Sequence, residues 1–212
     1  MADTNLLKMK DISTEKSIKI AARMVFHEKG FAATRTRDIA EKAGINLALL
    51  NYYFRSKQKL FDIIMFETMM QFMQSIIVVF NDDSTTLDNK IESIINGYID
   101  LLVVEPQIPL FIMHELKNGQ VPHFFTQFDL KDKLLTSVFV RQYQDAIQSG
   151  YYKNIPFIHF LMNLMGLCVF PFIASPVIKM MGNLDDPHYK QVMIERKIYI
   201  AEWINDIIKV KS

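Results

Sequence analysis

The stretch that decides the fold is residues 33–60, which read ATRTRDIAEKAGINLALLNYYFRSKQKL. Two short helical patterns flank Gly44, whose missing side chain suits the left-handed backbone that ends a helix. Asn46 follows as a cap for the second short helix, because its side chain can accept a backbone N–H. Two helices joined by such a turn can place the second one in the major groove of DNA. The stretch therefore predicts a helix-turn-helix.

The apolar residues of this stretch are spaced to form a small core with the preceding helix. Ile39, Leu50 and Phe54 fall at helical spacing on the inner side of the two short helices. Val25 and Phe26 of the preceding helix are expected to pack against them. Such a core would fix the angle between the two short helices, which a DNA-reading helix requires.

Several residues remain for the outer face of the module, where DNA would lie. Asn51 suits a bidentate contact to adenine, worth about 1–3 kcal/mol of discrimination, and Arg37 can reach a guanine edge or a phosphate. Leu47 and Ala48 can only make apolar contacts, for example with the thymine methyl. Lys57 lies in the first turn of a fourth helix, whose free N–H groups favour an anion. The predicted DNA-binding residues are Thr34, Thr36, Arg37, Asn46, Leu47, Ala48, Asn51, Tyr52, Tyr53 and Lys57.

Some residues near the predicted interface have a structural interpretation instead. Phe54 is expected in the core because of its spacing from Leu50, and Tyr53 fits either the core or a DNA contact. A solvated basic rim is expected from Arg35, Arg55 and Lys59.

The charges are distributed unevenly along the chain, although the net charge is only +1. Residues 1–60 hold 12 Lys and Arg against 6 Asp and Glu, whereas residues 61–212 hold 12 against 17. The basic N-terminal part suits a polyanion and the acidic remainder does not. Double-stranded DNA is thus the predicted partner of the first part only.

Beyond residue 60, apolar residues recur at helical spacing and strand signals are nearly absent. The sequence therefore predicts an all-α chain of about nine helices. A three-helix DNA-binding domain is expected over 1–60, and a larger helical effector-binding and dimerisation domain over 61–212. The predicted helices cover 14–29, 36–43, 47–53, 56–80, 87–104, 109–117, 122–149 with a bend or break near 129, 156–182 as one or two helices, and 187–210.

Three stretches of the N-terminal part resemble the TetR family of bacterial repressors. They are AARMVFHEKGF at 21–31, ATRTRDIAEKAG at 33–44 and LNYYFRSKQKL at 50–60. The resemblance implies a dimeric repressor that responds to a small molecule through a divergent C-terminal domain. Asn51 departs from the family pattern, which more often has tyrosine there. The DNA contacts that the resemblance implies are Thr34, Arg37, Leu47, Ala48, Tyr52, Tyr53 and Lys57.

The C-terminal part is rich in Met and Phe, which suits either plain core packing or a plastic pocket for an apolar or aromatic effector. Polar residues among apolar neighbours are the candidates for orienting such a ligand. His159 has a second interpretation as a core histidine whose hydrogen bonds are satisfied within the protein. The predicted ligand-binding residues are Tyr98, His114, Tyr143, His159 and Asn163.

The last two long helices are apolar on more than one face, which a monomer would expose to water. We therefore expect a homodimer through these helices. The predicted interface residues are Phe160, Leu164, Leu167, Ile194, Ile198 and Ala201.

Membrane and redox signals favour a cytoplasmic protein without a membrane partner. Residues 154–178 carry no Asp, Glu, Lys or Arg, but Pro171 and Pro176 would leave backbone groups unsatisfied in lipid. The single cysteine, Cys168, excludes a disulfide within one chain and suits a reducing compartment.

Motifs for catalysis, metal binding or a cofactor are absent from the sequence. His114-Glu115 lacks the second histidine of a zinc protease motif, and 7 glycines leave little room for a phosphate-binding loop. Apolar surroundings should raise the pKa of Cys168 and make it a poor nucleophile. No enzyme, cofactor or metal is therefore predicted. Two alternatives to a ligand-responsive repressor remain: a same-fold DNA-binding protein controlled by a protein partner, and a helical carrier of apolar molecules.

Overall fold

The computed structural model describes residues 2–117 and 129–210, with side chains from residue 13 onward except Leu130. Helices dominate these residues, and their only extended pairing is an isolated antiparallel bridge between Tyr152 and Lys209. The helices are α1 (Ala2–Ala33), α2 (Thr36–Lys42), α3 (Leu47–Phe54), α4 (Lys57–Asn81), α5 (Leu87–Val104), α6 (Ile108–Lys117), α7 (Leu130–Leu135), α8 (Val138–Gln148), α9 (Phe157–Ile173), α10 (Ser175–Gly182) and α11 (Asp186–Ile208).

The predicted all-α fold is confirmed, and most helix ends lie within a few residues of their predicted places. One prediction was wrong: α1 begins at Ala2, upstream of the expected cap, and the Ser17 hydroxyl donates to the Ser13 carbonyl within the helix. No glycine or proline precedes residue 13, so nothing in the chain stops the helix there. Gly30 does interrupt α1 as expected, at φ +73°.

Two long predicted helices are broken in the structure, which raises the number of helices. Ser137 caps α8 by accepting the Val140 N–H, so the segment predicted over 122–149 contains both α7 and α8. Part of that segment, residues 118–128, lies outside the described residues. The segment predicted over 156–182 breaks at Ala174 into α9 and α10.

The chain divides into two compact units, residues 1–70 and 71–212. The expected boundary at residues 60 and 61 lies a few turns before this division, because α4 begins in the first unit and ends in the second. The assignment of DNA binding to one unit and of effector binding and dimerisation to the other remains a prediction.

The N-terminal unit is built around α1, which packs against α2, while α2 packs against α3. The predicted core residues Ile39, Leu50 and Phe54 are all buried, as are Val25 and Phe26. The Phe26 ring meets the edge of Phe61 from α4 at a centroid distance of 5.3 Å. These contacts fix the two short helices, as the spacing predicted.

The C-terminal unit is organised around α5, which packs against α8, α9 and α11. Its buried face contains Ile91, Ile95 and Ile99, at the spacing of one helical face. Asp88, at the start of α5, binds two other segments. Its carboxylate accepts hydrogen bonds from the Tyr152 hydroxyl, between α8 and α9, at 2.5 Å and from Lys209 Nζ, just after α11, at 2.7 Å.

Pro171 breaks the hydrogen-bond ladder of α9 near its end. Because proline has no N–H, the carbonyl of Leu167 loses its helical partner. Arg196 of α11 replaces it, since its Nε donates to the Leu167 carbonyl at 3.2 Å. Tyr189, also on α11, donates its hydroxyl to the Pro171 carbonyl at 2.8 Å. Just beyond this site the chain bends by 72° from α9 into α10.

By length and composition alone, α4 is apolar enough to cross a membrane, and the bent pairs α5–α6 and α9–α10 would qualify if each were one span. Within α4, however, Leu60, Ile64 and Met65 are buried in the N-terminal unit.

The structure corrects two residues of the predicted dimer interface. Phe160 and Leu164 lie on the inner face of α9 and are buried within the C-terminal unit. The Phe160 ring packs against Tyr143 at a centroid distance of 4.9 Å. A helix without charges offers no polar face in its sequence, so its inner and outer sides could not be told apart by periodicity.

Replacing Phe160 by alanine should lower the free energy of unfolding by about 3–5 kcal/mol, because the side chain fills the core. Phe170 is the matched control: it lies on the same helix but is 63% exposed, and its replacement should cost under about 1 kcal/mol. Urea unfolding of both variants at one protein concentration measures the difference. Equal losses would show that the inner face of α9 is wrongly assigned.

Candidate functional site

The turn between α2 and α3 has the geometry that the sequence predicted. Gly44 adopts φ +67°, and the Ile45 N–H donates to the Ala40 carbonyl at 3.0 Å. Asn46 then caps α3, since its Oδ1 accepts the Leu49 N–H at 2.8 Å. These bonds set the direction in which α3 leaves the turn.

One face of α3 points to solvent. Ala48, Asn51 and Tyr52 are exposed, with Tyr52 at 76%, whereas Leu50 and Phe54 are buried. Leu47 and Tyr53 are half-buried beside this face. Asn46, although it is a cap, is also exposed. The structure therefore brings most of the predicted contact residues of α3 together on one accessible surface.

The start of α2 contributes a second exposed group beside the turn. Arg37 is exposed, and within the described part of the chain its guanidinium makes no ion pair or hydrogen bond. Thr36 is half-buried at the first position of α2. Asp38 instead stabilises the start of α2. Its carboxylate accepts the Arg35 N–H at 3.0 Å and lies 3.2 Å from Lys29 Nζ. The hydrogen bond from the Arg35 backbone and that from Lys29 lower the pKa of Asp38.

Thr34 does not lie where the predicted DNA contact requires it. Its side chain is 2% exposed, and its hydroxyl donates to the Gly30 carbonyl at 2.7 Å. The same carbonyl also accepts the Thr34 backbone N–H at 3.2 Å, so the hydroxyl adds a second bond at this helix end. The structure therefore does not support Thr34 as a direct side-chain contact to DNA.

Lys57 is held by the protein rather than left free at the start of α4. Its Nζ donates to the carbonyls of Phe31 at 2.7 Å and Thr34 at 2.8 Å, and it lies 4.3 Å from the centre of the Phe31 ring. The ammonium thus ties α4 to the end of α1. A phosphate contact by Lys57 stays a prediction, and it would have to use the remaining N–H of the ammonium.

A basic rim surrounds this surface. Arg35, Arg55 and Lys59 are exposed, as the sequence suggested. Arg55 ends α3 with φ +52°, a conformation that costs a non-glycine residue about 1–2 kcal/mol. Ser56 caps α4 by accepting the Lys59 N–H at 3.1 Å. The rim suits the sequence-independent attraction of phosphates.

The five predicted ligand-binding residues are not brought together. His114, His159 and Asn163 are exposed on the surface of the chain, so they do not line an internal cavity. Tyr143 is buried, but its hydroxyl donates to the Ile155 carbonyl at 3.0 Å, which makes it a satisfied core residue. The sequence could not separate these residues because neutral polar groups occur on both faces of its apolar helices.

Tyr98 differs from the other four, because it is half-buried on α5 and packs against an aromatic ring of α4. Its ring meets the edge of Phe72 at a centroid distance of 4.7 Å. Burial, and to a lesser extent the neighbouring Cys168 thiol, raise the pKa of Tyr98. Burial also raises the pKa of Cys168, to about 12, which confirms the expected poor nucleophile.

Sequence reasoning missed Arg196, whose Nε donates to the Leu167 carbonyl. Two features of the sequence could have indicated the role of Arg196. One is its charge within the apolar pattern of α11. The other is Pro171, which lacks the N–H that the Leu167 carbonyl would otherwise accept.

The outer face of α9 carries the apolar surface that was expected for a dimer, but on other residues than Phe160 and Leu164. Ile158 and Met162 are more than half exposed, and Gly166 follows one turn later. A Cβ added to Gly166 would meet nothing within 4 Å. On α11, Ile194 and Ile198 are exposed and Ala201 is half-buried. Leu167, on α9, is also half-buried. A glycine in the middle of a helix signals this face in the sequence.

Comparison with known proteins identifies the N-terminal unit. Residues 20–64 match the sequence profile of the bacterial regulatory proteins of the tetR family. The whole chain is 24% identical over 198 residues to YttP of Bacillus subtilis, described as a "probable HTH-type transcriptional regulator". That alignment covers 89% of this chain and 93% of YttP. The N-terminal unit thus carries the domain of the tetR family. Neither the family nor this relative is an enzyme.

Solved structures share the fold of this regulator over nearly its full length. FadR from Bacillus subtilis has a TM-score of 0.60 at 18% identity, and the match covers 91% of this chain and 98% of FadR. A TetR family transcription regulator from Marinobacter aquaeolei has a TM-score of 0.54 at 16% identity and covers 96% of this chain and 100% of its own. At these identities the likeness concerns the fold alone.

Replacing Lys57 by methionine should lower the free energy of unfolding of the N-terminal unit by about 1–3 kcal/mol, because two buried carbonyls lose a charged donor. The matched control is Lys59→Met, an exposed lysine two residues away that should change stability by under about 0.5 kcal/mol. Thermal unfolding followed by circular dichroism measures both. A Lys57 variant as stable as the Lys59 variant would show that the tie between α4 and α1 contributes nothing.

Proposed function

We propose that this regulator is a dimeric repressor that binds operator DNA through its N-terminal unit and is released by a small apolar or aromatic effector in its C-terminal unit. It would act in the cytoplasm, where bacterial DNA lies. The DNA-binding part of the proposal rests on the exposed face of α3. This face presents Ala48, Asn51 and Tyr52, while the opposite side of the helix is buried in the core.

The residues of this face divide into those that could read bases and those that could hold the backbone. Asn51 and Arg37 offer donors and acceptors suited to adenine and guanine edges, and Leu47 and Ala48 offer apolar contacts to thymine methyls. The residues around them are placed to contact the DNA backbone. Such contacts position a protein on DNA without reading its sequence. The candidates for backbone contacts are Thr36, Asn46, Tyr52, Tyr53 and Lys57.

Dimerisation is supported by the outer face of α9. Ile158, Met162 and Gly166 form an exposed apolar stripe along a helix that carries no charge. A glycine within a helix costs about 0.5–1 kcal/mol relative to alanine, and packing within the described chain does not require it at residue 166. A close approach by the same helix of a second copy would account for it. Ile194, Ile198 and Ala201 on α11 would extend the interface.

A dimer also suits the geometry of operators. Two recognition helices must reach successive major grooves on one side of the duplex, about 34–36 Å apart, in the usual arrangement of two half-sites. An effector can weaken such binding only by preferring a conformation in which the helices no longer match this spacing.

An apolar effector is supported by the composition of the C-terminal unit and by one structural neighbour. That unit is rich in Met and Phe, and within it the Tyr98 ring packs against Phe72. FadR from Bacillus subtilis, which shares the fold, was solved in complex with stearoyl-CoA. A long apolar ligand is therefore compatible with this fold, and we extend that ligand class to this regulator as part of the proposal.

Replacing Asn51 by alanine should weaken binding to the operator by about 1–3 kcal/mol, because a bidentate base contact is lost. Binding to unrelated DNA and the salt dependence should stay unchanged, since no phosphate contact is removed. Fluorescence anisotropy at several salt concentrations, with DNA from upstream of the gene as the operator probe, measures all three quantities.

The matched control for Asn51 is Asn89→Ala, which changes an exposed asparagine of the C-terminal unit and should bind like the wild type. Equal weakening on operator and unrelated DNA would remove Asn51 from base recognition. Absence of any salt-dependent DNA binding by the wild type would instead favour a helical carrier of apolar molecules. Repression that responds to no small compound would favour control by a protein partner.

Replacing Met162 by glutamate should convert the dimer into a monomer, because a charge would be buried against the apolar face of the second copy. Sedimentation velocity should give about twice the chain mass of 24.7 kDa for the wild type and the single mass for the variant. Leu110→Glu, on the exposed side of α6, is the control and should remain dimeric. A wild type that sediments as a monomer at micromolar concentration would contradict the proposed interface.

A further inference from the structure

Arg55, which lies between α3 and the cap of α4, has a backbone conformation that is unusual for its residue type. It adopts φ +52° and ψ −38°, and the Ser56 N–H donates to the Phe54 carbonyl across it. A hydrogen bond of this span around a positive φ makes a γ-turn of the rare and strained kind. The turn allows α4 to begin at Lys57, directly after the end of α3 and its two linking residues.

Arginine is an unexpected residue for such a backbone conformation. Glycine adopts a positive φ freely, and Asn and Asp tolerate it, whereas a long side chain bears the full steric cost. Within the described residues, the other positions of positive φ are Gly30, Gly44, Gly150, Asp129 and Asn183. A strained residue that persists is a reason to look for a function at that place. The Arg55 side chain therefore needs a role that glycine could not fill.

The protein itself does not supply that role. The Arg55 side chain is exposed, and its guanidinium makes no hydrogen bond or ion pair with the residues that the structure describes. Asp38, by contrast, lies 3.2 Å from Lys29 Nζ in the same unit. All N–H groups of the Arg55 guanidinium are therefore available to a partner outside the unit.

Arg55 continues the exposed face of α3. Its N–H still donates to the Asn51 carbonyl at 2.9 Å, so Arg55 lies on the helical path. Asn51 and Tyr52 precede it at the spacing of one helical face, and Ala48 lies one turn further back. A recognition helix contacts bases mainly through its N-terminal residues. The opposite end, where Arg55 lies, is then closer to the phosphates at the edge of the groove.

Lys57, the other cation at this end of the module, is largely occupied. Two of its three N–H groups donate to the carbonyls of Phe31 and Thr34. Arg55 has five N–H donors, and a guanidinium can donate to two oxygens of one phosphate at once. Arg55 is thus better placed than Lys57 to bind a phosphate firmly.

We propose that Arg55 binds a phosphate of the DNA backbone, and that its strained turn persists because it directs the guanidinium to that phosphate. This inference rests on the proposed function, in which the N-terminal unit binds DNA. A phosphate contact carries no sequence information, so Arg55 raises the affinity for every duplex alike. The turn therefore lowers stability and raises the affinity for DNA.

Replacing Arg55 by glycine should move stability and DNA affinity in opposite directions. Glycine adopts the turn without strain, so the temperature of thermal unfolding should stay unchanged or rise. The affinity for an unrelated DNA duplex should fall about tenfold, because hydrogen bonds between charged groups are lost. The slope of log affinity against log salt concentration should become shallower by about one for each module bound. Circular dichroism measures the stability, and fluorescence anisotropy over a series of salt concentrations measures the binding.

Two controls and two further Arg55 variants separate the charge from the backbone. Asn183→Gly relieves a positive φ of +48° in the C-terminal unit, and Lys190→Gln removes one exposed positive charge from α11. Both should bind DNA like the wild type. Arg55→Asn tolerates the turn but is neutral, so it should bind as weakly as Arg55→Gly. Arg55→Lys should keep most of the salt dependence and lose part of the affinity, because an ammonium cannot donate in the same fork geometry.

The outcomes distinguish this inference from the proposed function. Wild-type affinity and salt slope in Arg55→Gly would overturn the inference while the repressor proposal stands. A clear loss of stability in that variant would also overturn it, because the arginine would then serve the carbonyl end of α3. Weakened binding to the operator alone would make Arg55 a base-reading residue and remove the phosphate contact. Absence of salt-dependent DNA binding by the wild type would overturn the proposed function, and the inference with it.

Discussion

Backbone carbonyls that lack a helical N–H partner are the constraint on which this all-helical protein depends. Every helix leaves its last carbonyls unpaired, and a proline or a glycine inside a helix leaves more. Among the residues that the structure describes, cationic side chains from other segments donate to these carbonyls at four places. The pairs are Lys57 with Phe31 and Thr34, Lys90 with Asp82 and Thr85, Lys153 with Asp206 and Ile207, and Arg196 with Leu167. Each pair joins a helix end or break to another segment, so the same bonds that satisfy the backbone also set the packing.

This use of cations changes the meaning of the charge pattern. Lys57 belongs to the basic N-terminal part, yet its ammonium is directed at carbonyls of its own unit. Lys90 is completely buried and holds the loop before α5. A positive balance along the sequence thus counts charges that face DNA together with charges that hold the fold. The charge available to DNA comes from exposed residues such as Arg37, Arg55 and Lys59.

The helix-turn-helix could be predicted closely because its signals are local. Gly44 ends one helix by its backbone conformation, and Asn46 begins the next by its side chain, whatever the rest of the chain does. The buried residues Ile39 and Leu50 followed from periodicity. The C-terminal candidates could not be predicted in the same way, because α9 carries no charged residue to mark its outer face. Phe160 and Met162 are equally suited by composition to a core or to an interface, and only their neighbours in space place them on opposite faces.

The sequence alone determined that the chain is helical, that its N-terminal part contains a helix-turn-helix, and that the outer face of α3 carries Ala48, Asn51 and Tyr52. These features depend on caps, turns and periodicity within a few residues. Tertiary structure alone decided that Thr34 is buried, that Lys57 ties α4 to α1, and that Arg196 donates to the Leu167 carbonyl. Hydrogen bonds and contacts between residues far apart in the chain depend on how helices are placed in space, and no local pattern records that placement.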